Sequence, residues 1–195
     1  MQIEYEATFE NIDKGEIKER LEKAGAKLVR PEFMQKRVTL QLPKGQDAPN
    51  KWLRVRDEGD RITMTFKHFD GDNIDNQKEL LIVVDSFEKT VEFLLHIGCI
   101  EKSYQESRRE LWTLDGAEIT IDEWPFLDPF VEVEGKNEKE VRDISEKLGF
   151  NWENALFCAV GHQYERKYGV AEDYFNSKIS KVTFDMENPF TDIKA

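Results

Sequence analysis

Glu4 and Glu6 form a Glu-x-Glu pair near the start of a 195-residue chain, and Glu132 and Glu134 form a second pair much later. Between them stand Arg54-x-Arg56, Thr63-x-Thr65-x-Lys67 and Asp122. Successive side chains of a strand alternate and same-face neighbours lie about 7 Å apart, so each pair sets like charges side by side. Carboxylates grouped this way suit a hard divalent ion. Glu4, Glu6, Asp122, Glu132 and Glu134 could hold one or two Mg²⁺ or Mn²⁺ ions without histidine or cysteine. Arg54 and Arg56 offer planar bidentate donors for phosphate oxygens, and Lys67 a point charge. An ordinary solvated sheet face mixes signs within a strand, whereas these strands are purely acidic or purely basic.

The elements that carry these residues alternate with period two: 3–9, 34–42, 52–56, 62–67, 79–84, 107–113, 118–122 and 130–134. Tyr5, Ala7 and Phe9 oppose Glu4 and Glu6; Leu53 and Val55 oppose the arginines; Val131 and Val133 oppose Glu132 and Glu134. Eight such strands predict a large sheet or a barrel. If the sheet closes, the charged faces line a tunnel and the apolar faces pack under helices. Three helices are predicted. One follows Asp13, with Ile17, Leu21 and Ala24 on one face; a second follows a capping box at Asp85 and Glu88; a third follows Asn137 and Glu140. Segments 43–51 and 70–78, rich in Pro, Gly, Asp and Asn, read as long connections framing an entrance. After Gly169 a polar and aromatic tail ends in Asn188-Pro189-Phe190, suited to docking on the domain or a partner.

Twenty-eight Lys and Arg against 40 Asp and Glu leave a net charge of −12, which disfavours a general binder of nucleic-acid polymers or anionic membranes. A tunnel can still be locally basic, because the field in a cleft differs from that of the whole surface. Cys99 and Cys158 lie far apart with no metal-ligand spacing, so reduced thiols and a cytoplasmic setting are expected. No apolar run reaches the roughly 20 residues of a membrane helix, and the opening residues do not read as a signal sequence.

The ordered set Glu4-Tyr5-Glu6, Leu53-Arg54-Val55-Arg56, Thr63-x-Thr65-x-Lys67, Arg109-x-x-Trp112, Ile119-Thr120-Ile121-Asp122 and Val131-Glu132-Val133-Glu134-Gly135 resembles the CYTH superfamily, the triphosphate tunnel metalloenzymes. That family includes CyaB-type adenylate cyclases, thiamine triphosphatases and inorganic triphosphatases. The resemblance implies an α+β fold: an antiparallel eight-stranded β-barrel, or tunnel, with flanking helices, spanning residues 1–170, with 171–195 as a C-terminal extension. It implies a triphosphate-containing small molecule as partner and Mg²⁺ or Mn²⁺ as cofactor. Arg109 would join Arg54, Arg56 and Lys67 on the phosphates, and Glu4 or Glu6 would hold the ion that activates water.

Two departures stand out. Thr8 replaces the lysine that completes the family's Glu-x-Glu-x-Lys, and Ser107 stands where a basic residue often precedes Arg109. Arg37, on a polar strand face, and Lys167, in Tyr164-Glu165-Arg166-Lys167-Tyr168, are the expected substitutes. The leading expectation is metal-dependent hydrolysis of a triphosphate compound. A CyaB-type adenylate cyclase, a non-catalytic phosphate or nucleotide-binding module, and an acidic interaction domain are the alternatives. His68, His96 and His162 lack a nucleophile or metal motif and read as structural, and the four tryptophans as core or rim.

Overall fold

Among the described residues, nine strands run in one hydrogen-bonded path that returns to its starting point. The computed structural model describes residues 1–48, 50–69, 71, 73–171, 174, 175 and 178–191. In chain order the elements are β1 (Gln2–Ile3), β2 (Tyr5–Phe9), α1 (Lys14–Ala24), β3 (Lys27–Gln41), β4 (Lys51–Asp57), β5 (Ile62–Phe69), β6 (Gln77–Val84), α2 (Phe87–His96), β7 (Ile100–Leu114), β8 (Ala117–Glu123), β9 (Phe130–Gly135), α3 (Glu138–Lys147), a short 3₁₀ turn (Trp152–Asn154), α4 (Val160–Tyr168) and β10 (Lys181–Val182).

The path runs β1-β6-β5-β4-β3-β7-β8-β9-β2, antiparallel throughout. Its two ends are one stretch of chain divided at Glu4. Ile3 pairs with Lys78 of β6, Tyr5 pairs with Gly135 of β9, and Glu4 N–H donates to the Gln77 carbonyl at 2.9 Å. The N-terminal strand thus closes a nearly complete barrel by changing partners, and β1 and β2 correspond to the first of the eight expected strands. β10 lies off the path, parallel to the part of β7 that β8 leaves uncovered.

Two strands are longer than alternation indicates. β3 begins seven residues before Met34, with Pro31 inside a register shift between Arg30 and Phe33, where its missing N–H breaks no regular ladder. The first half of β7 has polar inward residues, Ser103 and Gln105, beside the polar Lys102 and Glu106, so no apolar alternation marks it.

Outward faces supply the core. Ala7, Phe9, Ile119, Ile121, Val131 and Val133 pack with Ile17 and Leu21 of α1 and Val141, Ile144 and Leu148 of α3. Val38, Leu40, Leu53 and Val55 pack with Leu94 of α2 and Cys99. Full burial of such a side chain is worth roughly 1.5–3 kcal/mol, so this arrangement drives the polar faces inward. Asp13 caps α1 and Asn137 caps α3, each accepting from a backbone N–H at 2.9 Å. The second cap differs from expectation: Ser86, not Asp85, accepts from Lys89 N–H, because Ser86 has the extended conformation one residue before the helix.

The tail packs back onto the barrel. Val170, Phe175, Ile179, Val182 and Phe190 join Trp124, Phe130 and Tyr164 in one buried cluster. The Phe190 ring lies 4.8 Å from Tyr164 and 5.0 Å from Tyr168, so Asn188-Pro189-Phe190 docks on its own domain. Residues 192–195 of the expected extension, and 49, 70 and 72 of the expected connections, lie outside the described residues. Among the described residues no helix is long and apolar enough to cross a membrane.

Candidate active site

Inward-facing residues of β3 to β9 and the N-terminal strand surround a cavity of about 320 Å³. Glu4, Glu6, Arg37, Arg54, Arg56, Lys67, Arg109, Glu132 and Glu134 all line it. Register explains how. On β4 and β5, Arg54 stands opposite Thr65 and Arg56 opposite Thr63; on β2 and β9, Glu6 stands opposite Glu134.

The acids divide into two groups. Carboxylate oxygens of Glu4, Glu6 and Glu134 lie within 4.8 Å of one another. Burial works against ionisation of Glu4, but Lys67, at 2.7 Å, together with Arg54 and Arg56 holds its carboxyl below the usual value. Gln77 also donates to Glu4. Burial, then Glu132 and Glu4, raises Glu6 well above that range, and burial with Glu4 and Glu118 lifts Glu134 to about 7. Crowded carboxyls that resist ionisation are what a hard cation stabilises, so this oxygen-donor set fits Mg²⁺ or Mn²⁺.

Asp122 is placed differently from the metal ligand it was expected to be. It is fully buried and takes a bidentate pair from Arg109 at 2.8 and 2.7 Å, with Thr120 Oγ1 donating to it at 2.7 Å. Arg109 also donates to Glu132 at 2.6 Å. Burial opposes the charge on Arg109, but Asp122 and Glu132 raise its pKa well above the ordinary arginine value. Glu132 is pushed up to about 7 by burial and by Asp122. Asp122 therefore anchors Arg109 while the trio gathers around Glu4.

The cations divide as well. Lys67 bonds Glu4 and approaches Glu79 at 3.5 Å, and Arg56 bonds Glu58 at 2.7 Å. Burial, with Arg54 and Arg109, lowers Arg56 to about 10. Arg37 and Arg54 have no carboxylate hydrogen-bonded to them among the described residues. Arg37 donates to Gln35 Oε1 at 2.7 Å and to Ser107 Oγ, both neutral, and its guanidinium covers Trp124 at 4.3 Å. Burial, then Arg56 and Arg54, lowers Arg37 well below the ordinary value. Arg37 Nε, Arg54 Nε, Thr63 Oγ1, Thr65 Oγ1 and Ser103 Oγ are buried without a hydrogen-bond partner among the described residues.

Lys167 does not reach the tunnel. It lies on α4 and pairs with Asp128 at 2.7 Å, bordering a separate hollow with Glu10 and Arg166, because the face of α4 that turns to the core carries Tyr164 instead. Arg108 turns outward to Glu123 at 3.3 Å, as strand alternation requires. Thr8 is buried, and its backbone bonds Leu156 in both directions, at 2.9 and 3.0 Å. Sequence reasoning missed Glu58, Gln77, Glu79 and Glu118. Glu79 shares its face with apolar Leu81 and Val83, so alternation did not mark that face as polar. Trp52 and Phe69, stacked with ring centres 5.6 Å apart, also line the cavity.

The CYTH domain pattern matches residues 2–156, most of the chain. The protein belongs to the CYTH family. Its CYTH relatives include "Putative adenylate cyclase MJ0240" of Methanocaldococcus jannaschii, 27% identical over 146 residues that cover 74% of this chain and 81% of that protein. A solved structure described as a "putative adenylate cyclase" of Vibrio parahaemolyticus superposes with a TM-score of 0.71 at 10% identity, covering 84% of this chain and 98% of that one. The "putative adenylyl cyclase HpAC1" of Hippeastrum, described as having a dominant triphosphatase activity, superposes at 0.55 with 11% identity, covering 86% and 96%. These two likenesses establish the shared barrel. CYTH proteins bind triphosphate substrates and are generally enzymes that depend on a divalent metal.

Proposed function

We propose that this CYTH protein hydrolyses a triphosphate-containing small molecule with the help of Mg²⁺ or Mn²⁺. One observation carries the reading: the Glu4, Glu6 and Glu134 trio opens onto the same cavity as Arg54, Arg56, Lys67 and Arg109. Phosphoryl transfer calls mainly for alignment and charge neutralisation, which this pairing supplies. A divalent ion held by the trio would draw charge from the phosphate oxygens and position the attacking water.

The chain's own residues do the rest. Arg54 and Arg56 orient phosphate oxygens from adjacent positions on β4, and Lys67 neutralises charge between them and Glu4. Arg109, fixed by Asp122 and Glu132, presents a rigid donor on the other side of the cavity. Glu134, lifted to about 7, can hold a proton near neutral pH until a cation displaces it, and burial with the neighbouring acids shifts Glu6 in the same direction. The unbridged thiol of Cys99 supports a reducing, cytoplasmic setting.

Purified protein incubated with inorganic triphosphate, thiamine triphosphate and ATP, each with Mg²⁺ or Mn²⁺, and analysed by chromatography tests the proposal. Release of orthophosphate supports it. Cyclic AMP with pyrophosphate would replace it by the cyclase reading, and binding without turnover by the non-catalytic one.

A further inference from the structure

The cations that the protein leaves uncompensated are not the ones its strand pattern emphasises. Arg56, Lys67 and Arg109 each hold a protein carboxylate. Arg37, only 5% exposed, has two neutral partners, and its Nε has none. A buried charge with no carboxylate hydrogen-bonded to it among the described residues is costly, so Arg37 suits an anion that enters the cavity.

The wall beside it is built the same way. Arg37 stands opposite Arg56, and Thr39 opposite both Arg54 and Ser103, so the partnerless Arg37 Nε, Arg54 Nε and Ser103 Oγ belong to one patch of β3, β4 and β7. Ala159, Val160 and Gly161, the start of α4, line the same cavity. No side chain caps this helix. Its first-turn N–H groups carry the partial positive charge of a helix N-terminus, which favours a phosphate. Trp124 joins the two features: the Arg37 guanidinium lies on its ring, and Val160 packs against its cluster. One family departure serves this arrangement: the Ser107 hydroxyl seats Arg37. Residues 157 onward, α4 among them, lie beyond the CYTH match.

Resting on the triphosphate reading above, we infer that Arg37 and the backbone amides of Val160 and Gly161 form a subsite for one phosphoryl group of the substrate's phosphate chain, with Arg54 binding the adjoining oxygens.

The test is calorimetric titration of inorganic triphosphate and of orthophosphate into the full chain and three variants, Arg37→Gln, Ala159→Asn and Arg54→Ala, with thermal melts alongside. Asn at the cap of α4 would satisfy the amides from within without adding charge, and this normally stabilises a helix. Arg37→Gln removes a buried, uncompensated cation. Both variants should therefore melt no lower than the native protein while binding triphosphate about tenfold more weakly, the loss of one charge-assisted contact. A merely structural role for Arg37 would lower the melting temperature instead. Native affinity for triphosphate in both Arg37→Gln and Ala159→Asn, with Arg54→Ala impaired, would overturn the subsite and leave the triphosphate reading standing. An effect on orthophosphate alone would also overturn it. No binding of triphosphate by the native protein would overturn both. Should Arg37→Gln fail to fold, Ala159→Asn decides.

Discussion

Arg37 on β3 stands directly opposite Arg56 on β4, yet only Arg56 has a carboxylate, Glu58, bonded to it at 2.7 Å. Two residues of the same type on one wall of one cavity thus have different chemistry. Arg56 bonds the buried Glu58, which also holds the exposed Arg61, while Arg37 and Arg54 have no carboxylate bonded to them among the described residues.

That difference separates the two arginines of β4. Arg54→Ala should weaken triphosphate binding at least tenfold with little change in stability, since no hydrogen bond or ion pair to Arg54 forms among the described residues. Arg56→Ala should also destabilise the fold, by about 1–3 kcal/mol, because Glu58 is only 3% exposed and would keep Arg61 alone. Urea unfolding of the ligand-free variants beside triphosphate titration measures both effects. Equal stability losses would show that Arg54 has a structural role after all.

Asp122 should affect metal binding only through the fold. Asp122→Asn leaves the partly buried Arg109 with a single carboxylate, Glu132, and should cost roughly 3 kcal/mol, at the lower end for breaking a buried pair. Mn²⁺ affinity measured well below the melting temperature should stay within about twofold of native, whereas Glu6→Gln with Glu134→Gln should lose at least tenfold. A large loss of Mn²⁺ affinity in a folded Asp122→Asn protein would return Asp122 to the ligand set.

Glu6, Glu132 and Glu134 give the metal-free protein an unusual pH dependence. Burial and neighbouring acids hold Glu132 and Glu134 at about 7 and Glu6 well above the carboxylate range, so the folded state binds more protons than the unfolded chain above pH 4.5. Their contribution is therefore complete at low pH and declines as pH rises from about 4.5 through 7. Glu4 and Glu58, whose pKa values are lowered, act in the opposite sense, but their loss occurs below the usual carboxylate value. Between pH 5 and 8 the melting temperature in EDTA should fall, and the increment from added Mn²⁺ should grow with pH. A flat profile, or one unchanged by Glu134→Gln, would mean that these carboxyls are not strained in solution.

Strand faces were legible in the chain because alternation is local: Glu4 and Glu6, Arg54 and Arg56, or Glu132 and Glu134 must share a face wherever the strand goes. Apolar Ala7, Phe9, Val131 and Val133 must then seek helices, which sends the charges inward. Caps and periodicity marked α1 and α3 for the same local reason. Which charge meets which is decided by register between strands far apart in the chain. Only folding brings Asp122 to Arg109 and apart from Glu4, Glu6 and Glu134, and sets Arg37 on Ser107. Only folding turns Lys167 to Asp128 on the outside and brings the start of α4 to the cavity. Alternation determines the direction in which a side chain points; neutralisation depends on what stands across from it, and that distance exists only in three dimensions.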